Sequence, residues 1–125
     1  MNQKIESPTA PKATGPFSHA IKTEKMLFTS GQIHLTFEGK LLRGTIEEET
    51  HQVMINLKSI LETAGYSFKD VVKTSIFITD MSTYAKVSEI YGAYVSEPFP
   101  ARETVCVKEL PLGASVEISM IAVKE

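Results

Sequence analysis

The stretch from Thr45 to Ala64 constrains the fold more than any other, because it reads as one helix with both ends marked. Thr45 and Glu48 have the spacing of a capping box, in which the threonine oxygen accepts one free amide and the glutamate reaches back. Glu47, Glu48 and Glu49 fall in the first turn, where the helix dipole favours negative charge. Ile46, Val53, Leu57, Ile60, Leu61 and Ala64 share one stripe, and Gly65 is a natural stop. A helix with a single apolar stripe needs a surface to cover.

The flanking segments supply strands. Ser18 to Thr23 and Lys25 to Ile33 read as a pair around the polar turn Lys22-Thr23-Glu24-Lys25, and Phe37-Glu38-Gly39-Lys40 marks a second turn. Val71 to Thr79 is β-branched and short, hence a strand. Asp80 or Ser82 then caps a helix running to about Val95, with Tyr84, Val87, Ile90 or Tyr91, and Tyr94 on its buried stripe. Arg102 to Lys108 and Ser115 to Val123 are the last two strands, joined by Leu110-Pro111-Leu112-Gly113. The proline-rich patches Pro8 to Pro16 and Pro98 to Pro100 read as rigid loops. Strands, helix, strand, helix, two strands predict an α+β sandwich of two layers: a mixed sheet with both helices on one face.

Composition bounds what such a domain does. The chain of 125 residues is about one domain, 42% hydrophobic and 22% charged. A net charge of −2 gives no electrostatic footprint for nucleic acid. The single cysteine excludes an internal disulfide and fits a reducing compartment. Residues 1–16 lack the apolar core of a signal peptide, and no run approaches the roughly 18 apolar residues of a membrane span. The expectation is a soluble, cytoplasmic, single-domain protein.

Two helices cover one sheet face, so the other face meets water or another subunit. Placing Val105 and Val107 towards the helices turns Arg102, Thr104, Cys106 and Lys108 the other way. In the last strand Val116, Ile118 and Met120 suit the helix side, which leaves Glu117, Ser119, Ile121 and Val123 opposite. Arg102 and Glu117 are thereby expected on the same helix-free face. Ile121 and Val123 are too apolar for open solvent, which predicts oligomerisation through that face.

Arg102 and Glu117 admit two readings. They form a structural salt bridge between adjacent strands, or they are a site. In the second case the guanidinium fork clamps a substrate carboxylate, and Glu117 moves a proton or holds water. His19, His34 and His51 lack metal-ligand spacing, so surface or core roles are expected, and Cys106 reads as a buried small hydrophobe. No glycine-rich phosphate loop precedes either helix. Gly31 in Ser30-Gly31-Gln32 either lets a ligand approach the backbone or simply ends a strand. Tyr84, Tyr91 and Tyr94 suit a core better than a stacking platform for bases.

Ordered short segments along the chain carry a resemblance. They are Ala10-Pro11, Gly15-Pro16-Phe17-Ser18, Thr29-Ser30-Gly31-Gln32-Ile33, Ala64-Gly65, Val71-Val72-Lys73-Thr74, Phe99-Pro100-Ala101-Arg102, Leu110-Pro111 and Val116-Glu117-Ile118. In that order and spacing the chain resembles the Rid family, also called YjgF or UK-type proteins, enamine and imine deaminases. The resemblance implies a chorismate-mutase-like fold with a six-stranded mixed sheet, and a homotrimer with clefts between subunits. It implies hydrolysis of 2-aminoacrylate-type imino acids to 2-keto acids and ammonia, with neither metal nor organic cofactor. It assigns Arg102 to the substrate carboxylate, Glu117 to the water, and Ser30 and Gly31 to the cleft. Three family positions differ: Phe17 replaces a tyrosine, Thr104 a cysteine, and Ser88 an asparagine. These three are carried as substrate-binding candidates. The competing readings are a non-catalytic regulatory protein binding small carboxylates and, third, an endoribonuclease or translation inhibitor.

Overall fold

The computed structural model describes residues 2–125. Its strands and helices are β1 (Gln3–Ile5), β2 (Ala20–Thr23), β3 (Met26–Thr29), α1 (Ile46–Thr63), β4 (Val71–Ile78), α2 (Tyr84–Gly92), β5 (Ala101–Cys106) and β6 (Val116–Val123). The strands form one sheet in the order β1-β2-β3-β6-β4-β5. Only β4 and β5 run parallel, so the sheet is mixed. A parallel pair needs a crossover, and α2 supplies it.

The expected capping box is present. Thr45 Oγ1 accepts from the Glu48 amide at 3.1 Å, and Glu48 Oε1 accepts from the Thr45 amide at 2.8 Å. Those two bonds hold the Glu48 carboxyl below its ordinary value. Val53, Leu57, Ile60 and Leu61 are fully buried against Leu27, Ile76, Ile78 and Ile118, so the α1 stripe and one sheet face make the core. Gly65 closes the helix at φ 84, in the left-handed region that favours glycine.

Several boundaries differ from the sequence reading. β1 was not expected; it pairs with β2 along an edge, too short to show a period. β3 stops at Thr29 rather than Ile33, and a single bridge from Gln32 to Ile118 continues the contact with β6. A 3-10 turn, Met81–Thr83, precedes α2, with the Asp80 carboxylate accepting from the Ser82 amide at 2.9 Å. The helix ends at Gly92, three residues before the expected Val95. Tyr84 is exposed and Tyr94 half-buried, so the buried stripe of α2 narrows to Val87 and Tyr91.

The faces of β5 are reversed relative to expectation. Arg102, Thr104 and Cys106 pair with Thr74, Ile76 and Ile78, whose side chains are buried beneath the helices. Partners in a ladder share a face, so Arg102 and Thr104 lie on the helix side. Val105 instead pairs with Phe77, on the face of Glu117, and is 43% exposed. Cys106 is exposed rather than buried, because β5 is an edge strand and α2 does not reach its end. Assigning Val105 to the core failed because the helix-free face is itself apolar. Met26, Phe28, Phe77, Ile121 and Val123 lie there, with Met26 37% and Phe28 39% exposed.

Candidate functional site

Arg102 occupies a cradle that the crossover geometry makes. Tyr84, Ser88 and Tyr91 project from one side of α2 over the start of β5. The Arg102 guanidinium donates from Nη1 to Ser88 Oγ at 3.1 Å and from Nη2 to Tyr84 Oη at 2.8 Å. Its Cζ lies 5.6 Å from the Tyr84 ring centre and 5.4 Å from that of Tyr91. Tyr91 is fixed in turn by donating to Thr74 Oγ1 at 2.9 Å, and burial pushes its hydroxyl above the ordinary value. Every group holding the cation is neutral, and among the described residues it pairs with no carboxylate. A shallow cavity of about 270 Å³, lined by Ser88, Tyr91, Phe99, Pro100 and Arg102, opens beside it. Two residues on, Thr104 points the same way, and its Oγ1 is buried without a hydrogen-bond partner among the described residues.

Glu117 belongs to a different depression. A cleft of about 310 Å³ is lined by Phe17, Gly31, Ile33, Leu35, Leu112 and Glu117, among others. The Glu117 carboxyl is half-buried, forms no ion pair among the described residues, and is pushed above its ordinary value by burial. Gly31 makes room for it: a Cβ there would lie 2.8 Å from Glu117 Cδ and nearer still to Oε2. The glycine therefore leaves room for Glu117 where it stands, rather than serving a left-handed backbone, since it does not have positive φ. The bridge between Gln32 and Ile118 holds this segment, with bonds of 2.9 and 3.1 Å.

Of the other sequence candidates, Phe17 lines the cleft and is 50% exposed. Ser30 stands behind it, donating to the His19 carbonyl at 3.3 Å and accepting from Gln32 Nε2 at 3.0 Å. Ser88 lines the Arg102 cavity, while Thr104 lies on the same face of β5 but does not line it. Arg102 and Glu117 are not on neighbouring strands, because β4 lies between β5 and β6, and they face opposite ways. The salt bridge between them is thereby excluded within one subunit. The cross-strand ion pair on the helix-free face is Lys73 with Glu103 at 3.0 Å.

The histidines have structural duties. His19 Nδ1 accepts from the Ser7 amide at 3.0 Å while Nε2 donates to the Pro11 carbonyl at 2.7 Å. His34 Nδ1 donates to the Leu42 carbonyl at 2.8 Å, and Nε2 accepts from the Ser115 amide at 2.9 Å. His51 is exposed against the Tyr94 hydroxyl at 2.9 Å. Among the described residues no three His, Cys, Asp or Glu side chains gather as a metal site. Likewise none of the described helices is long and apolar enough to cross a membrane.

The family model described as Endoribonuclease L-PSP matches residues 7–124. The chain belongs to the Rid/YjgF family. Across its length it is 44% identical to a RutC family protein of Pyrococcus horikoshii, covering all of both chains. It is 40% identical to a mouse protein named 2-iminobutanoate/2-iminopropanoate deaminase, over 96% of this chain and 90% of that one. A crystal structure of Escherichia coli TdcF with bound serine superimposes with a TM-score of 0.92 at 33% identity, covering 98% of this chain and 99% of that one. The expected Rid fold, a six-stranded mixed sheet with two helices, is the one observed.

Sequence reasoning placed Tyr84 and Tyr91 in the core, which holds for Tyr91 but not for the exposed Tyr84, and it missed the cage both make around Arg102. The signal was available: Tyr84, Ser88 and Tyr91 recur at i, i+4 and i+7, one helical face with polar tips.

Proposed function

We propose that this Rid protein is a deaminase that hydrolyses 2-imino acids of the 2-aminoacrylate type to 2-keto acids and ammonia. One observation carries the reading: within a subunit, an arginine and a carboxylate that form no ion pair among the described residues face opposite ways. Each is half of a site. A homotrimer packed through the apolar helix-free face would set β5 of one subunit against the Glu117 cleft of the next. Arg102 is near the start of this exposed edge strand, which favours such an approach. The mouse relative's name and the serine bound to TdcF, an amino acid carrying a carboxylate beside its amino carbon, support a small carboxylate substrate.

In this mechanism the enamine takes a proton at C3 and becomes an iminium with an electrophilic C2. Arg102, with Ser88 and Tyr84 holding its fork, binds the carboxylate through two parallel bonds. The Thr104 hydroxyl offers one more hydrogen bond. Glu117, its carboxyl raised above the ordinary value by burial, takes a proton from water as its oxygen adds to C2. The same carboxyl returns that proton to the nitrogen of the carbinolamine. As the C–N bond then breaks, Glu117 takes the proton of the new hydroxyl, ammonia leaves and the keto group forms. Release of that proton to solvent balances the one solvent gave to C3. Phe17 supplies an apolar wall without the phenol the family's tyrosine would bring.

Following ammonia release from imines generated in place by an amino-acid oxidase, with semicarbazide as the competing trap, tests the reading. Faster ammonia release with the protein, lost in Arg102→Ala, is the expected result; undiminished release in that variant would overturn it. The family description as an endoribonuclease motivates a second assay. RNA cleavage that persists in Arg102→Ala after rigorous purification would favour that alternative. Keto-acid binding without turnover would favour a regulatory role.

A further inference from the structure

Leu112 is an anomaly that core packing does not account for, although the turn around it is closed by bonds from the Gly113 and Ala114 amides to the Leu110 and Pro111 carbonyls, both 3.1 Å. It adopts φ 59 and ψ 16, the left-handed region that costs an ordinary L-residue roughly 1–2 kcal/mol. Glycine or asparagine would suit that backbone better, as Gly113 beside it does at φ 74. Yet Leu112 is 70% exposed, so no burial offsets the strain. Leu112 lines the Glu117 cleft, as do the apolar Ile33 and Leu35.

The turn that carries it is tied at two points. Arg43, just before the α1 cap, donates from Nη1 to the Gly113 carbonyl at 3.0 Å and from Nη2 to the Leu112 carbonyl at a long 3.5 Å. His34 accepts the Ser115 amide beyond it at 2.9 Å. The turn is therefore held in place from the body of the fold rather than by Leu112 itself.

We propose that Leu112 is a specificity-determining residue of the Glu117 cleft, selecting imino acids with medium-sized apolar side chains over the smallest, and that Arg43 is its positioning residue. This rests on the deaminase reading above. Leu112, Ile33 and Leu35 together form an apolar seat for a branched four-carbon side chain, while Arg43 keeps the leucine over the cleft. Each methylene seated in such a pocket discriminates by about 10-fold or more.

The test compares wild type, Leu112→Asn and Arg43→Ala on leucine-derived and alanine-derived imines, and by calorimetry on 4-methyl-2-oxopentanoate and pyruvate. Asparagine tolerates the left-handed backbone, so its melting temperature should equal or exceed that of wild type while the apolar wall is lost. The expected result is a preference for the leucine-derived compound reduced about 10-fold in Leu112→Asn and by a smaller factor in Arg43→Ala, with Arg43→Lys between. The Arg43→Ala loss should fall in KM for the larger substrate. A ratio within twofold of wild type in Leu112→Asn, or failure of 4-methyl-2-oxopentanoate to bind wild type, would overturn the proposal. If no imine is turned over but keto-acid selectivity shifts as stated, the deaminase reading fails and the Leu112 assignment stands.

Discussion

Arg102 and Glu117 project from opposite faces of one sheet, with β4 running between their strands. A subunit therefore presents the two charges in separate depressions, about 270 and 310 Å³, and cannot bring both onto one small molecule. The neutral cage of Tyr84, Ser88 and Tyr91 leaves the guanidinium's charge unspent. That arrangement suits capture of an anion better than structural pairing.

The fork of Arg102 is expected to matter more than its charge. Arg102→Lys keeps the cation and loses the planar pair of donors, so kcat/KM should fall on the order of 10–100-fold, the worth of about 1.5–3 kcal/mol for a charged hydrogen bond. Ser88→Ala, which removes one neutral support, should cost about fivefold or somewhat more. Steady-state kinetics on an oxidase-generated imine measures both; equal activity of lysine and arginine would remove Arg102 from carboxylate binding.

Gly31→Ala tests the close approach to Glu117. The added methyl meets Glu117 Cδ at 2.8 Å, so the carboxylate must turn away, while the backbone at Gly31 accepts alanine without strain. A displacement near 1 Å can cost about 100-fold, and kcat should fall to that extent with the melting temperature nearly unchanged. A large loss of stability with kcat retained in the folded fraction would show that the glycine serves folding alone.

Burial raises the Glu117 carboxyl above its ordinary 4.5, which fixes the sign of two pH effects. Activity that needs the ionised base should fall on the acid side with a midpoint above 4.5, and Glu117→Gln should lose that limb along with about 10²–10⁴ in kcat. For stability, the folded subunit binds this proton more tightly than the unfolded chain does. Its contribution is therefore full below 4.5 and is lost as pH rises through the raised value. Glu117→Gln should flatten that slope in melting curves taken from pH 4 to pH 8. An acid limb unchanged in Glu117→Gln would assign the titration to another group.

Phe17→Tyr restores a hydroxyl at the cleft wall without altering its apolar ring. Faster turnover of alanine-derived imine, with KM little changed, is the expected outcome in the same ammonia assay. Slower turnover would indicate that the cleft has adapted to the phenylalanine.

What the sequence disclosed follows from how locally each feature is encoded. α1 was legible because its caps, first-turn acids and apolar period all lie within twenty residues and agree. The faces of β6 were legible because Val116, Ile118 and Met120 alternate cleanly with polar or partly exposed neighbours. The faces of β5 were not, since Val105 is apolar for a surface outside the helix layer, and a lone subunit's core cannot explain it. Tyr84 misled for the opposite reason: an aromatic at helical spacing looked like core, but its hydroxyl serves Arg102. Leu112 was invisible because left-handed backbone in a leucine leaves no mark in composition or period.

The division of the site between subunits is tested most directly by complementation. Arg102→Ala and Glu117→Gln chains, carrying different tags, are co-expressed, and mixed oligomers are purified through both tags and assayed for ammonia release. In a trimer that holds both chains, a cleft that takes Glu117 from one subunit and Arg102 from the next is intact at one of its three positions, about a third. The account predicts activity near that fraction of wild type where each parent alone is almost inactive. Mixed oligomers no more active than the parents would contradict it, since a site contained within one subunit has no intact copy in either chain.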